Sequence, residues 1–197
     1  KAESFLFPNF EADAAVPSIN RVLLLDLGDW VPYRKGQAVK FNLLDKDSQG
    51  VKALIIKRDD QVIEKIERPA LGVIERSFDV CGDYVAYCEM RDGSQSQACE
   101  FAVCDLHFKL PSQAAPFGSP VEVQFASENL NVVAAYVISD ESMYGRHYTF
   151  LTDEDRKAGK VVIPADSIRH QGDTKIRLIG EHKLGRIKSE QSMTITN

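Results

Sequence analysis

Four cysteines, four histidines and 29 acidic residues are the side chains in this chain that could do chemistry, and their spacing narrows what that chemistry can be. Cys81, Cys88, Cys99 and Cys104 are seven, eleven and five residues apart. A four-cysteine zinc site is built from close pairs of the C-x-x-C kind, which this spacing does not offer. His107, His147, His170 and His182 never fall two to four residues from one another, so no short histidine metal pair exists. Asp45-Lys-Asp47-Ser-Gln-Gly50 matches the first half of a calcium loop, but its twelfth position is Ile56, where a bidentate glutamate is required. An ordinary polar turn is the better reading. Asp26 with Asp29, or Asp153, Glu154 and Asp155, read as solvated loop acids in the same way.

The sequence contains no G-x-S-x-G elbow, no phosphate-binding G-x-x-x-x-G-K, no G-x-G-x-x-G after a strand and no H-E-x-x-H. No pair of carboxylates stands out for glycoside hydrolysis. The expectation is therefore a non-enzyme without cofactor or metal. Side chains suited to binding are more visible. Trp30 and Tyr33 flank Pro32 in a loop-like stretch, where exposed rings would suit the apolar face of a sugar and buried ones would plug a core. Tyr144, Arg146, His147 and Tyr148 form a second candidate contact surface for a protein or carbohydrate ligand.

These residues need elements to carry them. The 197-residue chain is 44% hydrophobic and 27% charged, an ordinary globular balance with room for one large domain or two of about 100 residues. A net charge of −5 with both signs interspersed gives no footprint for nucleic acid or an anionic membrane. The longest apolar run, Val132 to Ile138, has seven residues, far short of the roughly 20 that span a bilayer.

The second half of the chain repeats the pattern of the first. Gly36-Gln-Ala-Val-Lys-Phe41 is matched by Gly118-Ser-Pro-Val-Glu-Val123, and Gly82-Asp-Tyr-Val by Gly172-Asp-Thr-Lys. The offsets are 118 − 36 = 82 and 172 − 82 = 90, which places one insertion in the second copy, assigned to 142–159. Short alternating runs divided by Gly, Pro, Asp and Asn predict strands at 21–26, 38–44, 51–58, 62–67, 73–80, 83–90 and 97–105. The second copy predicts strands at 106–110, 121–127, 132–139, 148–151, 161–163, 174–179 and 189–196, with one helical turn at 153–157. Glu100 to Leu110 alternates without a linker, so the last strand of the first copy is expected to run straight into the second.

Asp79-Val-Cys-Gly82-Asp-Tyr84-Val-Ala86 resembles the D-x-G-x-Y-x-C segment that opens strand F of immunoglobulin-like domains, where the tyrosine hydroxyl bonds back to nearby backbone. The chain thus resembles the immunoglobulin-like and fibronectin-III-like folds in a broad sense. The resemblance implies an all-β protein of two tandem immunoglobulin-like antiparallel β-sandwiches, at 1–104 and 105–197. Ala86 stands where the strand-F cysteine would be, and Thr174 stands at the tyrosine position of the second copy.

The cysteines all fall in the last hairpin of the first copy. A Gly93-Ser94 turn would set Cys88 opposite Cys99, and an Asp92-Gly93 turn would set Cys81 opposite Cys104. Either register puts Tyr84, Ala86, Cys88, Cys99, Phe101 and Val103 on one face, taken as the core side. Disulfides and buried free thiols both remain open, with clustering in one hairpin favouring at least one disulfide. The functional expectation is a non-catalytic extracellular or cell-surface protein with a binding, adhesive or spacer role, its signal peptide removed. The alternatives are an accessory module of a larger secreted polysaccharide-acting enzyme, and a cytosolic structural module with free cysteines. Sheet edges leave a weak homodimer open as a further partner.

Overall fold

The computed structural model describes residues 22–28, 32–44, 50–138 and 147–197. The first half of the chain supplies β1 (Leu23–Leu25), β2 (Tyr33–Arg34), β3 (Ala38–Leu43), β4 (Val51–Arg58), β5 (Gln61–Glu67), β6 (Gly72–Ser77), β7 (Gly82–Met90) and β8 (Cys99–Lys109). The second half supplies β9 (Ala114–Pro116), β10 (Val121–Glu128), β11 (Asn131–Ile138), β12 (Tyr148–Phe150), α1 (Asp153–Ala158), β13 (Lys160–Ile163), β14 (Gly172–His182) and β15 (Gly185–Thr196). Alternation dictates these strands. In β3, Val39, Phe41 and Leu43 are buried while Lys40 is exposed, and β7 buries Tyr84, Ala86 and Cys88 in the same way. The two repeat glycines ahead of β3 and β10 both hold left-handed backbone, Gly36 at φ 74° and Gly118 at φ 80°, which explains the residue type at both places.

One pairing scheme occurs twice. In the first half, β1-β3-β6 forms one sheet, while β8-β7-β4-β5 forms the other with β2 running parallel to β8. In the second half, β8-β10-β13 are hydrogen-bonded neighbours, while β15-β14-β11-β12 carry β9 parallel to β15. Strand β8 therefore belongs to both halves. Its residues Cys99, Phe101 and Val103 enter one buried cluster, with Phe41 and Tyr84. Its residues Ala102, Cys104, Leu106 and Phe108 enter a second, with Val123, Ile163 and Leu178. The run Phe101-Ala-Val-Cys104 is apolar throughout because both of its faces are covered. The protein is all-β in class, with one short α-helix among the described residues.

The hydroxyl of Tyr84 donates to the Val80 carbonyl at 2.6 Å, which is the corner expected from the motif around it. Where antibody-type domains place a disulfide, Ala86 and Phe41 are packed into the core. Phe101 is the centre of that core, stacked on Tyr84 at 5.1 Å and edge-on to Phe41 and Tyr33 at 5.7 and 5.8 Å.

The structure forms no disulfide where one was expected: Cys81, Cys88, Cys99 and Cys104 all keep their thiols. Strands β7 and β8 pair Ala86 with Cys99 and Gly82 with Val103, so opposed residues sum to 185. That register separates Cys88 from Cys99, and Cys88 lies opposite Leu54 of β4 instead. The turn is also longer than two residues, because Glu89 bridges to Gln95 and Gly93 N–H donates to the Met90 carbonyl. Cys81 lies one step past the last β7–β8 pair, towards Cys104, yet both remain thiols. Cys104 Sγ–H donates to the Asn129 carbonyl at 3.2 Å and Cys99 Sγ–H to that of Leu23 at 3.3 Å.

Candidate functional site

Among the described residues, two groups of side chains outside the cores bear most directly on function. The first lies where the halves meet. The β10–β11 turn holds Asn129 in left-handed backbone, φ 57°. Its side-chain amide donates to the Val103 carbonyl at 3.2 Å and to Asp83 Oδ1 at 3.3 Å. The β14–β15 turn brings His182 Nε2 to 2.9 Å and Lys183 Nζ to 2.7 Å of the same Asp83 carboxylate. The Leu184 N–H donates to His182 Nδ1, so Nε2 is the nitrogen that donates to Asp83. Burial opposes ionisation of Asp83, but the hydrogen bonds from Lys183 and Asn129 and the charge of Lys183 outweigh it. The carboxyl sits below its ordinary range. Arg34 at the end of β2 also donates to the Lys188 carbonyl on β15. These contacts are between parts of the protein itself. Two turns at one end of the second half, where such folds commonly present binding loops, are thereby occupied.

The second cluster covers the outer face of the β12-β11-β14-β15 sheet. Register sets Tyr148, Tyr136, Arg177 and Glu190 in one row across four strands. The next row holds Phe150, Ala134, Ile179 and Lys188. Arg177 Nη1 donates to the Tyr136 hydroxyl at 2.7 Å, and its other terminal nitrogen pairs with Glu190. Tyr148 packs on Tyr136 with ring centres 4.7 Å apart and lies nearly parallel to Phe150 at 6.1 Å. Phe150 is 75% exposed and Tyr148 43% exposed. A shallow groove of about 200 Å³ runs beside them, walled by Val133, Ala134 and Ile179 and ended by Glu181 and Arg186. This aromatic shelf with fixed charges at its border suits an apolar surface bearing polar groups.

Of the residues singled out in the sequence, Tyr148 falls on this face, and His147 stands half-buried just before it. Tyr33 is the correction. It is completely buried, its hydroxyl donating to Asp26 Oδ1 at 2.7 Å, and it has no face to offer a ligand. Burial, then hydrogen bonding to Asp26, pushes its phenol well above the usual range. Trp30, Tyr144 and Arg146, with Asp29, Asp45 and Asp47, lie outside the described residues. Phe150 was not singled out, although Tyr148-Thr-Phe150 marks two rings on one face of a strand. Arg177 and Glu190 could not be found without the register that aligns them.

Acidic residues 153–155 serve a helix rather than a metal. Thr152 and Asp155 form a reciprocal capping box at the start of α1, which holds the Asp155 carboxyl low through the bonds from the Thr152 backbone and hydroxyl. Among the described residues no group of three or more His, Cys, Asp or Glu is placed to hold a metal ion. Burial pushes the Cys81 and Cys88 thiols up to about 11 and Cys104 up to about 12, so all three stay protonated at neutral pH. No helix among the described residues is long and apolar enough to cross a membrane.

No protein-family model matches the chain. No curated protein matches it either. Among solved structures it is similar to the fibronectin(III)-like modules of Clostridium thermocellum CbhA, with TM-score 0.33 and 12% identity over 88% of this chain and 94% of that one. It is similar to the FN1–FN3 domains of chicken CNTN1, with TM-score 0.33 and 8% identity over 84% and 62% of the two chains. It is also similar to three N-terminal domains of the bacteriophage RB49 highly immunogenic outer capsid protein, with TM-score 0.30 and 11% identity over 88% and 59%. Superpositions this loose add nothing to what the chain's own strand order and tyrosine corner establish. The fold is broadly fibronectin-III-like.

Proposed function

We propose that this is a non-catalytic binding or adhesion protein of the extracellular space or cell surface, built from two immunoglobulin-like domains. The boundary falls between residues 104 and 105, inside β8, and the second domain carries its insertion at 142–159. The observation that carries this reading is the exposure of Tyr148 and Phe150 beside ordered charge on a rigid four-strand face. Aromatic side chains contribute most to recognition when they are held rigidly and bordered by polar groups. The buried thiols, protonated and hydrogen-bonded within the core, support a packing role for the cysteines rather than a reactive one. Use of the chain as an accessory module on polysaccharide is the second reading. The same shelf carries it, since Tyr33 is buried and no longer supports it.

The test uses the full chain with Tyr148 and Phe150 both changed to alanine. Wild type and variant are applied to intact cells of the source organism and to a panel of insoluble polysaccharides, with thermal stability measured in parallel. Loss of at least about tenfold in retention at unchanged melting temperature supports the shelf as the contact surface. Retention unchanged by the double substitution refutes it. Retention on polysaccharide alone selects the accessory-module reading.

A further inference from the structure

Cys81 and Cys104 oppose each other where the first half hands over to the second. The last ladder pair of β7 and β8 is Gly82 with Val103, and the next step of the same register is Cys81 with Cys104. Backbone direction fixes what kind of pair this is. Lys35 N–H donates to the Cys104 carbonyl at 2.9 Å from the β2 side, and β2 lies on the side of β8 away from β7. The N–H and C=O of one strand residue point the same way, so the Cys104 peptide groups face β2 and not Cys81. Cys81 and Cys104 are then a non-hydrogen-bonded antiparallel pair, the kind whose Cα atoms stand about 4.5 Å apart. Disulfides bridge Cα separations of about 4.4–6.8 Å, so the bond is within reach of side-chain rotation. Cys81 is also among the groups whose ionisation would act on Cys104. Cys88 and Cys99 have no such partner, since Cys88 faces Leu54 and Cys99 faces Ala86.

In the thiol form both sulfurs are committed to one place. The Cys104 thiol donates to the Asn129 carbonyl at 3.2 Å. The Cys81 thiol hydrogen-bonds to Glu128, whose carboxylate also meets Lys35 Nζ at 3.5 Å. Glu128 ends β10 and Asn129 opens the β10–β11 turn, so both bonds hold that turn of the second half against the first. A disulfide has no hydrogen to donate. Closing it takes both thiol donors from the turn in one step and leaves Lys35 and the Asn129 amide to hold it.

We propose that Cys81 and Cys104 form a redox-sensitive staple, in which oxidation bonds the start of β7 to β8 and loosens the β10–β11 turn of the following half. The oxidant is a small disulfide. The Cys81 thiolate attacks one of its sulfurs, expels the other as a thiolate and carries a mixed disulfide. The Cys104 thiolate then attacks the Cys81 sulfur, and the second small thiolate leaves. The two protein thiols give up two electrons and two protons, and the oxidant departs as two thiols. Cys81 is half-buried and Cys104 fully buried, so the oxidant meets Cys81 first. Burial keeps both thiols protonated at neutral pH, which makes the pair a slow latch and not a catalytic thiol.

The test incubates the full chain, reduced and freed of reductant, with oxidised glutathione at about pH 8.5. Loss of two hydrogens and a peptide linking 81 to 104 are expected, at a rate rising about tenfold per pH unit between about pH 7 and 9. Cys88→Ala should form the same link. Cys104→Ser should stop at a glutathione adduct on Cys81. Amide hydrogen exchange over residues 127–131 should quicken at least about threefold on oxidation. A chain that keeps four thiols after prolonged incubation, or that links another pair, overturns the proposal. A link between 81 and 104 with exchange at 127–131 unchanged refutes the release of the turn, and with it the switch. The shelf of Tyr148 and Phe150 holds no cysteine, so its ligand retention is judged separately.

Discussion

Replacing Tyr84 with phenylalanine removes one oxygen from the best-defined contact in the first core. The ring stays, packed on Phe78 at 4.8 Å and on Phe101 at 5.1 Å, so almost no apolar area is lost. What disappears is the 2.6 Å bond to the Val80 carbonyl, with the side-chain hydrogen bond from Arg58 to the hydroxyl. Val80 is 52% exposed and the Arg58 side chain 29% exposed, so water reaches both freed partners and the loss is that of one to two net hydrogen bonds, about 1 to 2 kcal/mol. Leaving a buried acceptor unpaired would cost up to about 3 kcal/mol instead. Scanning calorimetry reads both the size of the loss and its range. If the first core unfolds as a unit of about 100 residues, about 1 kcal/mol lowers one of two transitions by about 4–8 °C. If β8 welds both cores into one cooperative unit, a single transition falls by about 2–4 °C. A loss below about 0.3 kcal/mol would refute the corner as a stabilising contact. A loss beyond about 3 kcal/mol would refute the rehydration argument.

The junction predicts a pH dependence with a definite sign. The Asp83 carboxyl lies below its ordinary value of 3.8 in the folded chain, so its contribution is complete above that pH and fades as pH falls through the folded value. The melting-temperature difference between wild type and Asp83→Ala should therefore be full near about pH 6 and vanish in strong acid, and a constant difference would remove Asp83 from the junction's energetics. The β4–β5 turn holds Asp59 and Asp60 at φ 49° and 63°, where type I′ turns favour Asn-Gly. Asp60→Gly should raise stability by about 0.5–1 kcal/mol in urea unfolding, and any loss would show that the aspartate does something there. Alkylation at about pH 8 should be slow on native protein and should label four cysteines after unfolding without reductant. Fewer than four would mean that a disulfide forms in the isolated protein.

Most of the fold was legible because its code is local. Tyr84, with Asp79 and Gly82 before it, announced its own corner, and the glycines at 36, 82, 118 and 172 marked equivalent strand starts in both halves. Alternation located β3, β4, β7 and β10 to within one residue, and the absence of a linker anticipated that β8 would run through both halves. Strands β2 and β9 were missed. They are two and three residues long, too short for alternation to show, and only their parallel pairing with β8 and β15 makes them strands. The hairpin register could not be chosen from sequence because the Cys88–Cys99 connection is irregular, and a shift of two residues keeps every side chain on the same face. Tyr33 shows the limit of local reading most clearly. An aromatic beside a proline reads equally well as a contact or a plug, and only Asp26, seven residues away, makes burial of the hydroxyl affordable.

The proposed placement of binding on a sheet face follows from what the ends of the strands are doing. In a sandwich, loops at the strand ends can vary freely, so recognition normally collects there. Here the β10–β11 and β14–β15 turns are spent on Asp83 and Val103 of the preceding half. Leu130 in the first of these turns packs so closely on β14 that a side chain at Gly180 would lie 2.4 Å from it. Neither turn can change without disturbing the junction or the packing behind it. The outer face of β12-β11-β14-β15 carries no such duty. Its exposed rings are anchored from behind by Tyr136, itself held by Arg177 and Glu190. A contact built there can alter at Tyr148 and Phe150 while the cores and the junction stay fixed, which is the condition a binding surface needs.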